Sequence, residues 1–123
     1  MDINFFDDAS KAPKSREDVR LQQLGLYLHE DRRRVSVGFD ITPFIERPCI
    51  EVTAVNDRGE RAGSLHVIET LEANFSLVMH LRDKEPTDKY EIKAVLYYAT
   101  PETERMDVHS LSRTLDLNQV GEQ

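Results

Sequence analysis

Tryptophan is absent from this 123-residue chain, cysteine occurs once, and glycine and proline occur five times each. With Cys49 alone, no intrachain disulfide is available, which fits a reducing compartment. So few glycines and prolines exclude a collagenous or low-complexity chain. No apolar run approaches the roughly 20 residues that a membrane-spanning helix requires. The start, Met1-Asp2-Ile3-Asn4-Phe5-Phe6-Asp7-Asp8, is acidic where a secretory leader needs positive charge followed by an apolar stretch. These absences predict a cytoplasmic protein with no membrane partner. Positive charge is also scarce: 16 Lys and Arg stand against 23 Asp and Glu, a net charge of −7. Broad binding to phosphate backbones relies on clustered cations, so nucleic acid is excluded as the expected partner. The one basic run, Arg32-Arg33-Arg34, follows Glu30 and Asp31 directly and reads as a compensated, solvated turn.

What is present is enough apolar material for one core, 39% of the residues against 32% charged, in a length that suits a single domain. Residues 1–18 hold two adjacent aromatics, Phe5 and Phe6, then small and polar residues without a period, and read as an extended tail. From residue 19 to 117 the signal is alternation, the mark of strands that bury one face. Val35, Val37, Phe39 and Ile41 form one such run, and Ile50, Val52 and Ala54 a second. Phe75, Leu77, Met79 and Leu81 form a third, and Tyr90, Ile92, Ala94, Leu96 and Tyr98 a fourth. Residues 64–69 supply a shorter strand. Residues 105–117 supply a last one whose phase breaks around Leu111, as at a bulge. Residues 118–123 form a C-terminal tail.

The first element, residues 19–28, supports two readings. Ser15 and Asp18 resemble a helix capping box, with Leu21, Leu24 and Leu28 at near-helical spacing. Against this, Leu24, Leu26 and Leu28 alternate and Gly25 weakens a helix, so a strand is expected. Asn56-Asp57-Arg58-Gly59-Glu60 carries hairpin turn chemistry between two strands. Pro43 and Pro48 bracket a segment that must leave the sheet, because proline cannot donate to a central ladder. About seven strands without a helical insert predict an all-β, seven-strand antiparallel sandwich.

The segment Asp88-Lys89-Tyr90-Glu91-Ile92-Lys93-Ala94-Val95-Leu96 resembles strand F of immunoglobulin and fibronectin type III domains. In those, a tyrosine at the strand start returns its hydroxyl to backbone at the E–F corner. The resemblance implies that Tyr90 is the corner residue, with residues 35–42 as strand B, 49–56 as C, 75–82 as E, 90–98 as F and 105–117 as G. Two departures set aside the antibody branch: no tryptophan exists for strand C, and Ile92 stands where the cysteine would be. A disulfide-free, fibronectin-like sandwich is implied. Phe5-Phe6-Asp7-Asp8, Lys11-Ala12-Pro13 and Thr42-Pro43-Phe44-Ile45-Glu46-Arg47-Pro48 are also similar to small uncharacterised bacterial proteins of this size, a likeness that carries no function.

No residue grouping points to a chemistry. His66, His80 and His109, with Glu51 or Glu69, would make a zinc site if the strands brought them to one face, but the spacing does not show that they meet, and solvent-facing histidines on alternating strands are the far better account. Ser64 with His66 and His109 with Ser110 lack the oriented base and oxyanion hole of a hydrolase. Cys49 beside Arg47 reads as a small buried residue rather than a reactive thiol. The residue 56–60 turn lacks the ligand spacing of a calcium loop. No catalytic residue, cofactor or metal is therefore expected. Two features remain outside the core pattern: Phe5 and Phe6, and an outward-facing pair, Val95 and Tyr97, if Tyr98 continues the inward series. They predict a non-catalytic protein-interaction module, an accessory subunit or homo-oligomer, binding protein or itself through a sheet face or edge and the Phe5-Phe6 tail. The alternatives are a small-ligand or carbohydrate-binding sandwich, whose candidate loops offer chiefly Phe44, and a metal-dependent enzyme.

Overall fold

A computed structural model describes residues 12–118 of the chain. Seven strands follow in order: β1 Leu21–Leu28, β2 Arg34–Ile41, β3 Cys49–Asn56, β4 Arg61–Val67, β5 Asn74–His80, β6 Lys89–Thr100 and β7 Thr103–Asp116. They pair antiparallel in two sheets, β1-β2-β5 and β4-β3-β6-β7. The fourth strand joins β3 rather than lying beside β5, where the antibody constant arrangement would put it. The expected all-β sandwich is the observed one.

The alternation read from the sequence builds the core directly. Val35, Val37, Phe39 and Ile41 of β2 face Ile50, Val52 and Ala54 of β3 and Tyr90, Ile92, Ala94 and Leu96 of β6, all buried in one cluster. Each large aliphatic or aromatic side chain so buried contributes about 1.5–3 kcal/mol. The β3–β4 hairpin turns on Asn56, whose Oδ1 accepts from the backbone N–H of Arg58 and of Glu60, each at 3.0 Å. Gly59 takes φ +81° there, a conformation that side chains rarely adopt.

Two irregularities explain where the pattern misled. In β1 the register slips between Leu21 and Gln23, so Leu21, Leu24 and Leu28 are all buried in a strand although their spacing looks helical. Ser15 does precede a short 3-10 turn, Arg16–Asp18, but its side chain caps nothing. In β7 the bulge sits at Val108, since Leu96 pairs His109 while Tyr97 pairs Asp107, three residues before the expected position at Leu111. Residues 12–18, read from the sequence as tail, are tied to the body. The Lys14 N–H donates to the Pro43 carbonyl at 2.9 Å, and Arg16 pairs with Glu46 at 3.0 Å.

Candidate functional site

The two flanks of the sandwich, where the sheet edges meet, are built differently. On one, β7 side chains cap the free edge of β1: the Leu21 N–H donates to His109 Nδ1 at 3.0 Å, and Arg113 donates to the Leu24 carbonyl at 2.9 Å. That edge is closed to further strands. Burial, with Arg20 nearby, keeps the His109 imidazole below its ordinary pKa, in the neutral form that accepts the Leu21 proton.

The opposite flank, between β4 and β5, is closed only at one end. There the Arg82 N–H donates to the Ala62 carbonyl at 2.7 Å. Gly63 lies so close to β5 that a Cβ would stand 2.5 Å from the His80 carbonyl oxygen. At this same end lies a surface cavity of about 420 Å³ lined by Ala62, Gly63, Leu65, Val78, His80 and Arg82. Register places Leu65 and Val67 opposite the buried Val52 and Ile50, and Phe75 and Leu77 opposite the buried Phe39 and Val37. All four therefore point toward the interior, yet Leu65, Val67 and Phe75 are only half-buried and Leu77 is 39% exposed. At the open end, residues 68–73 cross between the sheets with Ile68 66% and Leu71 74% exposed. That crossing is well anchored. The Thr70 N–H donates to the Pro48 carbonyl at 3.0 Å, the Thr70 hydroxyl to the Glu72 carbonyl at 3.0 Å, and the Ile41 N–H to the Ala73 carbonyl at 2.7 Å. The flank thus presents partly exposed apolar side chains beside two strand edges, next to an anchored crossing that carries Ile68 and Leu71.

Of the residues expected to make contact, Phe5 and Phe6 lie outside the described residues. Val95 is half-buried on the outer face of β6. Tyr97 shares that face, but it is not exposed as expected: only 7% of it is accessible, because the Arg105 guanidinium covers its ring at 4.1 Å. Arg105 is fixed there by Glu51 at 2.7 Å and Asp107 at 2.6 Å, a stacking and charge arrangement that removes the aromatic from solvent. Tyr98 continues the inward series. Its hydroxyl donates to the Glu46 carbonyl at 2.9 Å, and burial pushes its pKa up to about 12.

The histidines considered for zinc do not converge. His66 faces Glu51 at 3.4 Å, His109 serves β1, and His80 lies on β5, in the other sheet. Among the described residues, no group of three or more His, Cys, Asp and Glu is placed to hold a metal. Cys49 is buried and accepts the Glu69 N–H at 3.4 Å. Phe44 is half-buried and packs against the core.

At the closed end of the sandwich the loops meet on Asp83. Its carboxylate, with the side chain 3% exposed, accepts from Asn56 Nδ2 at 3.0 Å, the Tyr90 hydroxyl at 3.0 Å and Arg33 at 3.2 Å. The Tyr90 hydroxyl in turn accepts the Thr87 N–H at 3.2 Å, which makes Tyr90 the corner residue that the family resemblance implied. Burial drives the Asp83 carboxyl upward, but the hydrogen bonds from Asn56, Tyr90 and Arg33 together outweigh it and hold the group below its ordinary value. The arginine run is therefore not a merely solvated turn: Arg33 reaches Asp83, Arg34 pairs with Asp31 at 2.7 Å, and Arg32 donates to the Leu117 carbonyl at 3.2 Å.

No family model and no curated protein matches the chain. Solved structures do. A glycosyl hydrolase family 2 member from Bacteroides cellulosilyticus DSM 14838 matches with a TM-score of 0.50 and 7% identity over 80% of this chain and 15% of that one. A β-glucuronidase from Ruminococcus gnavus, in complex with C6-substituted uronic isofagomine, matches with a TM-score of 0.48 and 8% identity over 82% of this chain and 16% of that one. The likeness is one of fold. It agrees with an immunoglobulin-like β-sandwich, and this chain spans a small part of each neighbour's length.

Proposed function

We propose that this domain is a non-catalytic protein-binding module that docks a partner on the flank between β4 and β5. The observation that carries this reading is the set of partly exposed apolar side chains, Leu65, Val67, Ile68, Leu71, Phe75 and Leu77, lying beside two strand edges. Free edges offer main-chain hydrogen bonds to an added strand, and the half-buried side chains between them offer pockets for alternate residues. Apolar side chains presented on an anchored frame lose little entropy on binding. The outer face of β6 contributes less, because Arg105 already covers Tyr97.

The test is the double substitution Ile68→Ser/Leu71→Ser. Both side chains are exposed, so thermal stability should stay within about 0.5 kcal/mol of the original. Partner capture or self-association, read by co-purification and analytical ultracentrifugation, should be lost. Unchanged association in a folded double variant would sink the reading.

A further inference from the structure

The edges of the two sheets are not equally protected. β1 is closed by His109 and Arg113, and β7 carries Glu104, Arg105, Asp107, Arg113 and Asp116 along its length. β4 starts on Arg61, contains Gly63 and is tied at Ala62 to Arg82. β5, Asn74–His80, has none of the usual guards of an edge strand: no Lys, Arg, Asp or Glu, no proline, no glycine and no register shift against β2. Its backbone is also free where it faces the flank. The Ile41 N–H donates to the Ala73 carbonyl and the Leu81 N–H to the Arg33 carbonyl, each at 2.7 Å. Odd-numbered residues of β5 therefore turn their amides and carbonyls to β2, and Asn74, Ser76 and Val78 turn theirs outward. Among the described residues no backbone group pairs with these three on that side. Gly63 shields His80, and Arg82 is bonded to Ala62, so the open stretch is residues 74–78.

Charge selects the occupant of that edge, though not by direction. Both signs stand at either end of the flank, Arg61 and Arg82 with Glu60 and Glu85 at one and Arg47 with Glu69 at the other. Between them β5 is neutral. The chain as a whole carries a net charge of −7, so two copies repel over most of their surfaces. A two-fold axis also sets a strand opposite itself, where any charge would meet its like. β5 escapes both objections. Opposite itself, the open stretch presents only asparagine, serine and valine on the outer face and phenylalanine and leucine on the inner one. The inner pair gains most, because Leu77 points inward yet is 39% exposed, and a second Phe75 and Leu77 would cover it. We propose that β5 pairs antiparallel with β5 of a second copy of this chain about a two-fold axis, joining the two β1-β2-β5 sheets edge to edge. This rests on the docking reading above and names its partner.

The experiment is sedimentation of the whole chain across a concentration series, with Ser76 as the probe. Ser76 is exposed on the outer face, so a charged residue there is tolerated by the fold and lies within reach of its own copy across the axis. Self-association should be present in the original chain. Ser76→Lys and Ser76→Glu should each weaken it about fivefold, because each sets like charges together. An equimolar mixture of the two variants should restore it as a mixed pair, which proteins that fail to fold cannot do. A chain that stays monomeric at hundreds of micromolar overturns the proposal. So does an association that Ser76→Lys and Ser76→Glu leave unchanged, or a mixture that associates no better than its components. In each of these cases the docking reading itself stands or falls separately, on whether Ile68→Ser/Leu71→Ser abolishes capture of a different protein.

Discussion

One phenolic oxygen at the closed end of the sandwich makes two kinds of bond, accepting from the Thr87 backbone and donating to the Asp83 carboxylate. Tyr90→Phe removes both while keeping the buried ring, and leaves a carboxylate short of one donor. It should cost about 1–3 kcal/mol in urea unfolding with an unchanged m-value. A loss below about 0.5 kcal/mol would show that the corner is dispensable. Asp83 adds a pH dependence whose sign follows from its lowered pKa. The unfolded chain binds the proton more readily, so the Asp83 contribution is complete above the ordinary carboxyl range and drains away as the pH falls through the folded value. The stability gap between the original and Asp83→Asn should therefore narrow between about pH 5 and about pH 3. A gap that is constant over that range would refute the assignment. Tyr90 was legible in the sequence because a strand-start tyrosine has a known partner in the resembling families. Asp83 was not, since in Arg82-Asp83-Lys84-Glu85 nothing distinguishes a buried carboxylate from its solvated neighbours.

Strand by strand, the alternation in β2, β3 and β6 located the core because both neighbours of each are strands and one face must be dry. Edge strands were harder to read. The slip in β1 and the bulge in β7 each shift the phase of a strand by one residue, and the sequence shows such a shift only as a blurred period. The residue 56–60 turn was legible from its asparagine and glycine. Tyr97 was misjudged because its cover comes from Arg105 on the neighbouring strand, a pairing set by the register of β7. The closing of β1 by His109 yields a prediction at this scale. The imidazole has a folded pKa below its ordinary 6.5, so its contribution is present above that pH and is lost as the pH falls below it. The protection of the Leu21 amide against hydrogen exchange should hold above about pH 6.5 and drop as the pH falls below it. His109→Asn keeps an acceptor near the same point but cannot titrate, and should abolish that dependence. Equal behaviour of the two proteins would place the acid sensitivity elsewhere.

For the molecule as a whole, composition anticipated a single core without a disulfide, and the open flank was the part it concealed. Leu71 was its available signal, an apolar residue between the strands expected at 64–69 and from Phe75, whereas Ile68 was read inside the first of them and in fact follows the end of β4 at Val67. Cys49, buried with its sulfur against the Glu69 N–H, offers a report on the entire fold. A thiol reagent should modify it only through opening of the sandwich, so labelling in native buffer should be slower than in urea by orders of magnitude. Stabilising conditions should slow it further. Fast native labelling would mean that the β3 end of the core breathes independently of the rest.

The contacts of Asp83 also bear on the order in which the molecule assembles. Arg33 is 50 residues away in the chain, Asn56 27 and Tyr90 7. The first two contacts require large loops to be closed already, and loop closure is costly before other contacts reward it. We expect this knot to form only once the β2, β3 and β6 strands have met, because its groups sit on the loops and strand ends that those strands position. In stopped-flow measurements Asp83→Asn should hasten unfolding and leave the refolding rate almost untouched, the behaviour of a latch on an assembled sandwich; refolding slowed by the whole loss of stability would make it a nucleus instead.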